Sequence, residues 1–316
     1  MSLVNLLSEN GVPVNSLRGG AWFGMLEAYF DESGKSKKTV VVSGYFASPD
    51  AWHSVIRGLG RIFAKYRIDY LHMKEIRNQN APHYSHLSIP AREKLLRGVA
   101  RQLRQRLPLA LSVTVDLKEY EDGTSQRFRS QLGSAYTAAA TAAILMTSNL
   151  LREQNIMQII GWTFESGHAN EKQLFQRLAR MQQIAGDGLG IGWYGFTGRL
   201  QSKPLQAADV LANSVHNSAM GNDGMLQELL GANDSTGRTI TKHYHVHLSS
   251  ALALKALGPI AEEEARRRKW KKSVMKTATQ SLVSQMSNGK SALTFLWHET
   301  GAPKPTRLKP SKENPN

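Results

Sequence analysis

The chain has 316 residues, with 40 Lys and Arg against 25 Asp and Glu, a formal net charge of +15 and a pI of about 10.0. It holds no cysteine, which excludes disulfides, thiolate nucleophiles and Cys-ligated zinc and fits a reducing cytoplasm. The positive excess points to an anionic partner, with nucleic acid ahead of a membrane surface because no amphipathic anchor stands out.

Residues 1–24 show no strong period and no basic n-region, so they read as a loosely attached leader and not as a secretion signal. An apolar β-type run over 26–30 ends in Asp31 and Glu32 before Ser33 and Gly34 break it. The run over 39–46 reads as the return arm of a hairpin. Ser48 caps a helix with Pro49 in its first turn, and Trp52, Val55, Leu59, Ile62, Phe63 and Tyr66 give it one buried face. His72-Met73-Lys74-Glu75 follows in a short segment before a polar, His-rich loop. A second helix over 90–106 carries Arg97, Arg101 and Arg104 at i, i+4 and i+7, a basic stripe beside its apolar face.

Residues 109–116 form a third strand, ending on Asp116. The span 132–151 has no charge, but its alanines, serines and threonines make it too weakly hydrophobic to cross a membrane, and it reads as a buried core helix. A fourth strand over 156–164 ends on Glu165-Ser166-Gly167. Then come a helix over 170–184, a weaker fifth strand over 191–197 and the start of a helix carrying Gln206 and Asp209. This order predicts an α/β fold over 25–220, a mixed five-stranded sheet with helices on its faces. Residues 221–300 read as an accessory, largely helical extension with a β-like patch over 244–248. Residues 301–316 form a basic, Pro/Lys-rich tail expected to be disordered.

Two strands end alike, with an apolar run, an acid and Ser-Gly. Were they parallel neighbours, Asp31 and Glu165 would stand side by side at the carboxyl edge, where open α/β sheets build their sites. Two carboxylates that close repel, and a divalent cation resolves the repulsion. Asp209 lies among Ala207, Ala208 and Ala212, on a seam between core and solvent. Glu32 points to the face opposite Asp31 if the strand continues.

In this order, Tyr29-Phe30-Asp31-Glu32-Ser33-Gly34, His72-Met73-Lys74-Glu75, Glu165-Ser166-Gly167 and Leu205-Gln206-Ala207-Ala208-Asp209 resemble domain-of-unknown-function family 3800, a bacterial and phage group. The resemblance covers roughly residues 25–220. It implies a ribonuclease H-like sheet, an acidic cluster of Asp31, Glu75, Glu165 and Asp209, and two Mg²⁺ or Mn²⁺ ions. Glu32, Ser33, His72, Lys74, Asp116 and Gln206 are expected to support it. The order departs from the ribonuclease H pattern, since Glu75 precedes the third strand; either Glu75 reaches the site from an inserted segment or Asp116 takes its place.

Two further features bear on partners. His243, His245 and His247 alternate on one face of a strand, and the adjacent Lys242 with no nearby acid favours a solvated or phosphate-facing strand over a transition-metal site. Lys269, Lys271 and Lys272 lack the acids four residues earlier that pair the neighbouring arginines, and with Trp270 they suit a phosphate backbone, as does the Arg97 stripe. The expectation is a divalent-metal-dependent nuclease acting on RNA or DNA. The alternative is a non-catalytic nucleic-acid-binding or accessory protein of a phage-defence or mobile-element system.

Overall fold

The computed structural model describes residues 24–34, 38–153, 158–185, 189–221, 224–230 and 242–250, together with positions 252, 253, 257, 262, 266 and 269. The chain divides into two units, Met1–Gly258 and Pro259–Asn316. In the second, Glu262, Arg266 and Lys269 are helical. Residues 1–23 of the leader, Trp270, Lys271, Lys272 and the 301–316 tail lie outside the described residues, and Gly24 opens the first strand.

The first unit is built on β1 (Gly24–Ser33), β2 (Thr39–Ala47), β3 (Leu109–Asp116), β4 (Gln158–Glu165), β5 (Ile191–Thr197) and β6 (Lys242–His247). Five longer helices flank the sheet: α1 (Pro49–Tyr66), α2 (Ile89–Arg106), α3 (Ala135–Glu153), α4 (Glu171–Ala185) and α5 (Lys203–Ala219). The strand order is β5-β4-β1-β2-β3-β6. β1, β2 and β3 form an antiparallel meander, while β4 runs parallel to β1 and β5 parallel to β4. This is the mixed, helix-flanked sheet that the sequence predicts, with one correction: it has six strands, not five. The β-like patch near Tyr244 becomes β6, which adds parallel to β3 at the edge.

Strand alternation divides the side chains between two cores. On one face Phe30, Phe46, Trp162 and Phe164 form an aromatic cluster, with ring centroids 5.3 to 6.4 Å apart. The Ala-rich α3 packs over β2 and β3, its Ala138, Ala139, Ala140 and Ala143 fully buried. Among the described residues no helix is long and apolar enough to cross a membrane. On the other face Val41, Tyr45 and Ala47 meet Trp52, Val55, Leu95, Val99, Val210 and Leu211 from α1, α2 and α5. Ser48 caps α1 by accepting from the Ala51 amide at 3.3 Å, whereas Ser88 precedes α2 without a side-chain cap bond.

Both acid-Ser-Gly strand exits end on a glycine in the left-handed region, Gly34 at φ 100° and Gly167 at φ 89°. Glycine reaches that conformation without the strain a Cβ brings, so each acid sits immediately before the chain turns away from the sheet.

β6 is held by its histidines. Ser43 donates to the Ser112 hydroxyl at 2.7 Å, which leaves the Ser112 proton for His243 Nε2 at 2.8 Å. His245 Nε2 meets the Thr114 hydroxyl at 2.8 Å. Burial, then the His245 ring beside it, lowers the His243 pKa from 6.5 to about 4. With the folded value below the unfolded one, this group's contribution is fully present above about pH 6.5 and is lost as pH falls toward about 4. Denaturant titrations at pH 7 and pH 4.5 are expected to show wild type losing on the order of 2–3 kcal/mol more than His243→Gln. Parallel losses in both proteins would contradict this role for His243.

Candidate metal centre

The parallel register pairs Phe30 with Phe164. The next residues, Asp31 and Glu165, therefore share the opposite face at the carboxyl edge of the sheet. α5 crosses β1 and β2 on that face and brings Asp209 down from above. Three carboxylates from three elements converge on the guanidinium of Arg199, in the single 3-10 turn Arg199–Gln201 after β5. Nη2 lies 3.2 Å from Asp31 Oδ2 and is hydrogen-bonded to Glu165 Oε2; Nη1 is 3.6 Å from Asp209 Oδ2.

The electrostatics of the cluster are unfavourable without a larger positive charge. The Asp31 side chain is fully buried; its Oδ1 accepts from the Glu32 amide at 2.7 Å, while its Oδ2 has no hydrogen bond. Burial raises the Asp31 pKa well above the carboxylate range; Arg199 pulls against this, and Asp209 and Glu165 add to the rise. Asp209 is raised for the same leading reason, burial, with Arg199 and the Met73 amide opposing it. Burial pulls Arg199 down, but the carboxylates of Asp31, Asp209 and Glu165 outweigh it and leave the guanidinium above its ordinary value. One guanidinium thus offsets three acids, two of them buried, and part of the repulsion remains.

α5 positions the cluster through two residues one turn apart. Asp209 Oδ2 accepts from the Met73 amide at 2.8 Å, and Gln206 Oε1 accepts from the Leu71 amide at 3.0 Å. Gln206 Nε2 in turn donates to the Arg199 carbonyl at 3.0 Å. The spacing i, i+3 places both side chains on one helix face. The 70–87 segment is pinned from behind by buried Arg92, which donates to the carbonyls of Ile76, Asn78, Gln79, Tyr84 and Leu87. Gln206→Ala leaves the buried Leu71 amide unpaired, while the Arg199 carbonyl keeps its bond from the Ser202 amide, so a loss of about 1–3 kcal/mol is expected in urea unfolding. A loss below about 0.5 kcal/mol would show the bridge to be dispensable.

The donor chemistry fits a hard divalent cation, with carboxylate oxygens only and one of them buried without a hydrogen bond. As they stand, no three His, Asp or Glu side chains among the described residues are close enough to hold a metal ion, since the guanidinium stands between the carboxylates. Arg199 must move for Asp31, Glu165 and Asp209 to share an ion.

The remaining predicted residues are distributed around this centre. Glu75 is engaged by His72 Nδ1 at 2.9 Å and by the Tyr70 hydroxyl at 2.8 Å. Burial raises its pKa, and those two hydrogen bonds outweigh it and hold it below its usual value. His72 lies close enough to lower the Asp209 pKa, and Lys74 is exposed. Asp116 caps the short helix Leu117–Gly123 by accepting from the Glu119 amide at 2.8 Å. Glu32 faces the α3 side, as strand alternation requires, and meets His168 Nε2 at 2.8 Å. His168 Nδ1 accepts from the Asn170 amide, so the imidazole is the neutral Nε2–H tautomer. Glu32 and Ser33 line a cavity of ≈ 160 Å³ with Tyr136 and His168. Arg97 pairs with Glu93 at 3.4 Å, Arg101 is exposed and Arg104 half-buried. Lys269 is exposed in the second unit.

Sequence reasoning overlooked Arg199 and Arg92. The signal for Arg199 was its place two residues beyond β5, a strand parallel to β4 and therefore ending at the same edge. Arg92 gave none, since a helical arginine reads as surface until a loop is known to wrap it.

No family model matches the chain, and no curated protein matches it. Among solved structures, it is similar to Bst ribonuclease HIII in complex with Mn²⁺, at 12% identity and a TM-score of 0.34, covering 66% of this chain. It spans just over half, 56%, of that chain. It is also similar to the ribonuclease HII of Archaeoglobus fulgidus in its complex with PCNA, at 14% identity and a TM-score of 0.31, covering 66% of this chain and 80% of that one.

Proposed function

We propose that this chain is a divalent-metal-dependent nuclease that hydrolyses phosphodiester bonds of RNA or DNA, and a member of domain-of-unknown-function family 3800. The observation that carries the reading is the convergence of Asp31, Glu165 and Asp209 at one sheet edge, with Asp31 buried and its Oδ2 left without a hydrogen bond. The net charge of +15 supplies the attraction for a polyanion.

Asp31, Glu165 and Asp209 would hold Mg²⁺ or Mn²⁺. Such ions, when bound, activate a water and stabilise the leaving oxygen of an in-line displacement. The chain's own residues prepare the site. The Met73 amide fixes which Asp209 oxygen is committed, and Gln206 ties the Arg199 backbone to α5. Arg199 offsets the acids while no metal is bound, and once displaced its guanidinium is free to face a phosphate. The His72–Glu75 pair holds an imidazole in one orientation beside Asp209.

The test is cleavage of labelled single- and double-stranded RNA and DNA with Mg²⁺, with Mn²⁺ and with EDTA, for wild type and Asp209→Asn. Cleavage is expected only with metal and wild-type Asp209; activity that survives the substitution sinks the assignment. The place of Arg199 favours a second reading, in which the guanidinium has taken over the cation's role and the fold binds nucleic acid without turnover. Salt-dependent binding with no metal-dependent cleavage would select it.

A further inference from the structure

The face that carries the acids continues along β4 and β5 away from the site. Register pairing places Trp193 beside Gly161, Gly195 beside Thr163 and Thr197 beside Glu165, all on the Asp31 side of the sheet. α5 covers β1 and β2 on this side, and α4 packs on β5 from the other side, where Phe175 meets Tyr194 and Phe196. Trp193 lies across Gly161 so closely that a Cβ at 161 would come within 2.2 Å of the indole, a contact only glycine permits. One side of the indole therefore rests on the sheet, and the residue is 41% exposed. Next along β5, a Cβ at Gly195 would meet nothing within 4 Å. An aromatic plate, an open gap and the acidic cluster follow one another over four residues, about 13 Å.

We infer that Trp193 is a stacking platform for an unpaired base, and that this strip leads a single strand of nucleic acid past Gly195 to Asp31 and Glu165. The inference rests on the proposed nuclease reading and narrows its substrate to the unpaired strand. A base inside a duplex has both faces covered by its neighbours, so only an unpaired base can offer a face to the indole. A sheet-borne aromatic with a free face binds any base by stacking, while the basic balance of the chain holds the backbone. Ile159, which packs against Gly192, and its register partner Met25 are 40% and 48% accessible, so the same face carries further exposed apolar surface.

The experiment is binding of a fluorescent dodecamer, oligo(dT) or oligo(rU), to the full chain in EDTA, beside a duplex of the same length. It is run on wild type, Trp193→Ala, Trp193→Phe and Gly195→Val. Val is suited to the strand and fills the gap, so Gly195→Val keeps the proposal testable if Trp193→Ala folds poorly. Expected are about tenfold weaker single-strand binding for Trp193→Ala and Gly195→Val, near wild-type binding for Trp193→Phe, and single strand preferred over duplex. Unchanged binding in both disruptive variants, or equal binding of duplex, would overturn the platform. So would sedimentation showing that the face joins two copies of the chain, with a dimer lost in Trp193→Ala. Because binding is read without metal, it separates the two readings. Cleavage unaffected by these variants removes the platform alone, and tenfold weaker binding without any cleavage removes the nuclease alone.

Discussion

Asp31→Asn is expected to melt several degrees above wild type in EDTA, and to lose metal-dependent cleavage by about three orders of magnitude. The two effects have one cause. Asp31 is buried, its Oδ2 has no hydrogen bond, and burial raises its pKa well above 3.8 even with Arg199 at 3.2 Å. With the folded value above the unfolded one, the stabilisation from this group is complete below about pH 4 and is lost as pH rises through the folded value. At neutral pH the carboxylate therefore strains the metal-free fold, and a neutral isostere relieves it. A ligand to a hard cation is lost at the same time, and several kcal/mol of transition-state stabilisation correspond to about 10³ in rate. Thermal melts in EDTA and single-turnover cleavage in Mn²⁺ check the pair. A variant that melts lower and cleaves normally would mean that Asp31 is only a structural partner of Arg199.

Arg199→Ala is expected to act in the opposite direction on the metal-free protein. Removing the guanidinium leaves Asp31, Glu165 and Asp209 facing one another without the cation that lies between them. Breaking a buried pair from one side costs about 3–5 kcal/mol, which for a chain of this size lowers the melting temperature by on the order of 10 °C. Divalent metal should then restore more stability to the variant than to wild type, because it no longer competes with a tethered cation. Melting curves across a Mn²⁺ titration measure this. A fall with no recovery in Mn²⁺ would identify the three acids as a structural ion-pair cluster.

Much of this arrangement was legible in the chain. The repeated acid-Ser-Gly endings located two strand exits, and the parallel pairing of β1 with β4 brings Asp31 and Glu165 to one edge. Alternation placed Glu32 on the other face, where it meets His168. Gln206 and Asp209, three apart on a helix, were visible as a pair, but not their attachment to Leu71 and Met73, because a contact across more than 130 residues leaves no local pattern. The same limit hid Arg199. Its role depends on where the carboxyl end of β5 falls relative to β4, a property of register and not of neighbouring residues. β6 was underestimated because Ser43, Ser112 and His243 only form a chain once three strands lie side by side.

A crystal of the full chain grown with Mn²⁺ and measured at the manganese edge would show whether the three carboxylates share a metal. Anomalous density is expected among the carboxylates of Asp31, Glu165 and Asp209, with the Arg199 guanidinium moved out from between them. Arg199 still in contact with all three acids, and no anomalous peak there at saturating Mn²⁺, would contradict a shared metal.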